Sequence, residues 1–139
     1  MSDTPNPSIE DVLDDIPEEY RDRFNGLLSE PTIPIDKMKA YVVQYLATVK
    51  QVGLMVKLLD MGQAEALATT ALTLLDSIEP THPASVKLLV QAAVSYFVFE
   101  EEDDEITGVL GFDDDVHVLN AVSRALGRDD LIVRVNRQD

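Results

Sequence analysis

The chain contains no cysteine, which rules out disulfides, thiolate zinc sites and cysteine nucleophiles together. Long apolar runs are also missing. The two most hydrophobic stretches, 88–99 and 52–59, are too short to cross a bilayer and are interrupted by Gln91 and Lys57, so no membrane span is expected. The stretch 1–15 is acidic and lacks an apolar centre, which argues against a secretory leader and makes cytoplasmic residence the expectation. Positive charge is scarce: 11 Lys and Arg face 26 Asp and Glu, for a net charge of −15. Such a surface repels phosphates and anionic lipid heads, so direct nucleic-acid binding is not expected, whereas basic proteins or divalent cations would be attracted. An acidic exterior also serves solubility, and a salt-loving host would select it too.

Catalytic patterns are missing as well. The sequence has no G-x-x-x-x-G-K, G-x-G-x-x-G, H-E-x-x-H or G-x-S-x-G. Its two histidines are His82, between Thr81 and Pro83 in an expected exposed turn, and His117, just after three aspartates. His117 could pair with Asp113 or Asp114, but no nucleophile stands at motif spacing. Paired carboxylates abound, yet without a cleft or an aromatic sugar platform they do not suggest a glycosidase. The expectation is a non-enzyme that carries no cofactor.

What is present is a helical period in a chain of 139 residues, 45% hydrophobic and 27% charged, the size of one ordinary domain. Residues 1–7 read as a disordered tail and 8–139 as a single helical domain. Ser8 suits a cap for a short helix with Glu10 and Asp11 in its first turn and Ile9, Val12, Leu13 and Ile16 at 3–4 spacing. Pro17 opens a second helix to about Leu28, with Tyr20, Phe24, Leu27 and Leu28 on one face. Pro31 and Pro34 mark a connector. From Lys37, capped by Asp36, a long helix is expected over 37–60. Its seam of Met38, Val42, Tyr45, Val49, Val52, Val56 and Leu59 is broad enough to predict burial on at least two sides. The β-branched residues along it also suit strands, but the helical period over more than three heptads decides. Gly62 then breaks the pattern before a helix over 63–78, and Pro80 and Pro83 before another over 83–99. Asp113 opens a further helix, which Gly127 closes. The tail 128–139 reads as one more short helix or as an extended segment.

The window 100–115 is the segment most suited to carry chemistry, with Glu100 to Glu105 followed by Asp113, Asp114 and Asp115. Three readings compete. The aspartates cap a helix and the glutamates form a solvated face. Alternatively, Asp103, Glu105 and Asp114 hold a divalent cation: Asp103, Glu105 and Thr107 alternate before Gly108, and Asp114 falls twelve positions along, as in a degenerate EF-hand loop. Or Glu101, Glu102, Asp103, Asp104, Phe112, Asp113, Asp114 and Asp115 form a recognition surface that receives a basic segment of a partner.

Tyr96 on an apolar helix with Ala93, then Asp104 and Ile106, then Gly111, Asp113 and Asp114 opening the next helix, resembles the YkvA-like family of small helical bacterial proteins of unknown function. That family's pattern has proline where this chain has Thr107. The likeness covers about residues 90–127 and implies a fold element, with no activity attached. The combined expectation is an all-α bundle of five to seven helices with a long central helix at 37–60, acting as a protein-interaction or adaptor protein through its acidic surface. Its partner would be another protein with a basic surface, and the apolar central helix makes a homodimer an option. The rivals are a cation-binding regulator using the 103–115 loop and an acidic mimic of DNA. The mimic requires the acidic regions 3–22 and 100–115 to adjoin in space.

Overall fold

The computed structural model describes residues 8–53, 61–98 and 113–133. Outside them fall the amino-terminal tail 1–7, the expected distal part of the long helix, most of the acidic window and residues 134–139. The described chain forms six helices, α1 (Ile9–Asp15), α2 (Glu18–Leu28), α3 (Ile35–Gly53), α4 (Met61–Ser77), α5 (Ala84–Val98) and α6 (Asp113–Ala125), followed by a 3₁₀ turn at Asp129–Leu131. No described residue lies in a strand.

The local chemistry explains the boundaries. Ser8 Oγ accepts the Asp11 N–H at 3.3 Å, so α1 begins with a side-chain cap and acidic residues in its first turn. Pro17 stands just outside α2, fixing the backbone before Glu18 and Glu19 meet the positive end of the dipole. Asp36 does not cap α3; the helix starts one residue earlier, at Ile35, and Asp36 sits inside the first turn. Likewise Gly62 lies within α4 instead of before it. At the end of α6, Gly127 adopts φ 73°. Its N–H reaches the Arg124 carbonyl at 3.0 Å and the Arg128 N–H reaches Ser123 at 2.8 Å, the paired bonds of a glycine-terminated helix end.

All six helices contribute to one core. The expected seam of α3 is buried at Met38, Val42, Tyr45 and Val49. α3 is the longest described helix and packs on both α4 and α5, while Val43 on its outer side is 59% exposed. The helix enclosed on most sides is α5, which touches α2, α3, α4 and α6 and is buried at every residue from Leu89 to Val98. The physical reason lies in the two patterns: the strict 4-3 alternation of α3 makes a stripe, whereas α5 is apolar or small all round. Phe97 of α5 meets Tyr45 edge-on at 4.9 Å, a favourable aromatic geometry. Phe24, fully buried, anchors α2, and burial of one such side chain is worth about 1.5–3 kcal/mol.

Polar residues fasten the irregular pieces to this core. Gln91 of α5 accepts the Ile33 N–H at 2.8 Å and donates to the Pro31 carbonyl at 2.9 Å, holding down the proline-containing connector. Asn120 of α6 donates to the Val133 carbonyl at 2.7 Å and accepts the Val133 N–H at 2.8 Å, and the Thr70 hydroxyl donates to the Leu131 carbonyl at 3.1 Å. Arg23 of α2 donates to the Tyr96 carbonyl at 3.1 Å and lies 4.2 Å over the Tyr96 ring. It thus meets the carbonyl end of α5, where a cation suits the dipole.

Candidate functional site

Of the acidic window, Glu101, Glu102, Asp103, Asp104, Glu105 and Phe112 lie outside the described residues. So does the EF-hand-like geometry that would use Asp103 and Glu105. Asp113 and Asp114 are placed in the first turn of α6 as backbone. Asp115 is placed fully and is only 1% exposed. It therefore cannot be part of an accessible acidic surface, which corrects the expectation that all three aspartates face a partner. The cause is helical phase: Asp115 stands three and four residues before Val118 and Leu119, both fully buried, and shares their face. Among the described residues no three His, Asp or Glu side chains converge as a metal site.

The histidines differ from one another. His117 is exposed and its ring stacks on Tyr20 of α2 at 6.2 Å and 26°. His82 is not the exposed turn residue expected, since only 11% of its side chain reaches solvent. Its Nδ1 accepts the Glu79 N–H at 3.0 Å, while its own N–H donates to the Glu79 carbonyl at 3.0 Å. The reciprocal bonds close the turn between α4 and α5 and draw the ring inward.

The acidic face that the structure does describe lies on α1 and α2. Glu10, Asp11, Asp14, Asp15, Glu18, Glu19 and Asp22 are all exposed. Between them, Ile9, Val12, Leu13, Ile16, Tyr20 and Phe24 turn wholly or partly to the core. Few cations offset this face. Arg124 of α6 pairs with Asp15 at 2.8 Å, and Arg21 donates to the Ile16 carbonyl at 2.7 Å instead of to a carboxylate. Glu10, Asp11, Asp14, Glu18, Glu19 and Asp22 form no ion pair among the described residues. The Tyr20–His117 stack sets the apolar side of α2 against the first half of α6. The sequence carried a signal for this surface, the recurrence of carboxylates at 10–11, 14–15, 18–19 and 22 opposite an apolar stripe.

No described helix is long and apolar enough to cross a membrane. Compared with known protein families, curated proteins and solved structures, the chain matches none.

Proposed function

We propose that the protein is a non-enzymatic interaction or adaptor protein that meets a basic partner through its acidic exterior. The observation that carries this reading is the row of exposed carboxylates on α1 and α2, of which only Asp15 has an ion-pair partner among the described residues. In a molecule of net charge −15 they steer a positively charged partner and discriminate against acidic ones. Kinship with the YkvA-like family belongs to the same proposal: Tyr96 near the end of α5 and Asp113–Asp114 at the start of α6 stand in the order that the family pattern requires. Cytoplasmic residence is part of the proposal too. A homodimer through the apolar central helix is the alternative to a foreign partner.

The test is affinity capture from the native host with the wild-type chain and with a variant carrying Asp14→Asn, Glu18→Gln and Asp22→Asn. Asp115 is left intact because it is buried. The wild type should retain a basic protein that elutes as salt rises, and the variant should lose it. Equal recovery by both chains would mean that the acidic face plays no part in binding.

A second reading is mimicry of DNA, which requires the α1–α2 carboxylates to adjoin those of the 100–115 window. Mimicry requires that the protein displace duplex DNA from a basic DNA-binding protein. Failure to do so at low salt, with the captured partner still bound, leaves the adaptor reading alone.

A further inference from the structure

At the end of the bundle where α3 begins, α4 ends and α5 begins, the surface departs from the acidity of the rest. Ile35, Ile78, Pro80, Pro83 and Ala84 line an open groove of about 280 Å³, with Glu79, His82 and Lys87 as its polar groups. Ile35, Ile78 and Lys87 also line a narrower cleft running on to Met38, Leu75 and Gln91, too tight to hold a water molecule. Lys87 therefore stands where the groove meets the interior.

Lys87 is half-buried and forms no ion pair among the described residues. Other half-buried cations are engaged: Lys39 pairs with Asp76, Arg128 pairs with Asp130, and Arg21 and Arg23 donate to the carbonyls of Ile16 and Tyr96. The carboxylate that lines the groove with Lys87 is turned away: the Glu79 side chain is 71% exposed with its Oε1 3.6 Å from His82 Nε2. The first turn of α5 contains no acidic residue, so the positive end of its dipole adds to the lysine charge. An apolar floor next to a half-buried lysine that has no ion-pair partner among the described residues calls for a ligand with both characters.

We propose that this groove binds a small amphipathic carboxylate. Its apolar body, of about eight carbons for a groove just below the usual small-ligand size, lies on Ile35, Ile78, Pro80 and Pro83, and its carboxylate meets Lys87 Nζ. This site is independent of the acidic face. The net charge opposes an anion at long range, but physiological salt screens charges beyond about 8 Å, whereas Lys87 acts in contact.

The experiment is a titration of the full chain with octanoate, followed through backbone amide NMR shifts, with octanol as the uncharged control. Octanoate should give saturable shifts at Ile35, Ile78, Ala84 and Lys87, and octanol should bind at the same residues roughly tenfold more weakly, the loss of one charge-assisted hydrogen bond. Lys87→Gln should bring octanoate down to the octanol level and leave octanol unchanged. Ala84→Phe, which fills the mouth of the groove from an exposed position, should weaken both ligands. Non-saturating shifts, equal affinity for octanol and octanoate in the wild type, or unchanged octanoate binding by Lys87→Gln would each overturn the proposal. The wild-type comparison stands on its own should either variant melt early.

Discussion

Asn120 uses both ends of its side-chain amide on the backbone of Val133, in a place only 8% exposed. No other side-chain type presents a donor and an acceptor at that spacing and length. Asn120→Ala leaves the N–H and C=O of Val133 without these partners, and the expected destabilisation in urea denaturation is about 1–3 kcal/mol. Asn120→Asp should be worse at neutral pH than at acid pH, since an ionised carboxylate opposes the Val133 carbonyl and its protonation restores a donor. At the surface, the two hydrogen bonds from Arg128, both 3.0 Å, hold the Asp130 carboxyl below its ordinary value. A depressed carboxyl stabilises the fold above its unfolded pKa of about 4, and that contribution fades as pH falls through the folded value. Arg128→Gln should therefore raise the Asp130 midpoint toward that of a free carboxylate in a carbon-detected NMR titration, and an unmoved midpoint would dismiss the pair as its cause. Side chains of this kind are hard to foresee from sequence. Asn120 and Gln91 look like ordinary polar interruptions of apolar helices, because what they bind is backbone brought in from elsewhere in the chain. Asp115 was legible in principle, since its spacing from Val118 and Leu119 assigns it inward, but three consecutive aspartates read more readily as one exposed cluster.

Among the elements, the helices were legible because local signals agree with the apolar period at each end. Ser8, Pro17, Pro83 and Gly127 all stand at or next to the boundaries they suggest. The ranking of helices by enclosure was less legible. Length and a regular seam drew attention to α3, while the number of sides covered depends on which faces carry small or apolar residues, and α5 has them all round. That placement gives Gln91 its leverage, because it reaches from the most enclosed helix to the connector between α2 and α3. Gln91→Ala should destabilise the protein by about 1–3 kcal/mol by removing one donor and one acceptor from a partly buried clasp. It should also speed hydrogen exchange at the Ile33 amide more than at amides in α6. Uniform acceleration across both regions would mean that the clasp lowers global stability without governing the connector locally.

Taken whole, the molecule sets its interaction surface against its own stability. Glu18 and Glu19 suit the first turn of α2, where the dipole rewards negative charge, and Asp15 has Arg124. Asp14 and Asp22 have neither compensation. Asp14 lies in the last turn of α1, where the dipole disfavours an anion, and Asp22 follows Glu18 by one helical turn. Like charges at that spacing cost about 0.2–0.5 kcal/mol per pair on a solvent-exposed helix. The double variant Asp14→Asn, Asp22→Asn should consequently raise Tm by about 1–3 °C at low ionic strength, given the size of the domain. The gain should shrink as salt is added and nearly vanish by ~1 M, where the screening length falls to about 3 Å. Thermal melts of both chains across a salt series check this, and a variant less stable than the wild type at low salt would show that these carboxylates support the fold locally. With the predicted sign, weaker partner capture by a more stable protein could not be blamed on unfolding. The stability given up by keeping Asp14 and Asp22 charged would then be the cost of a surface maintained for binding.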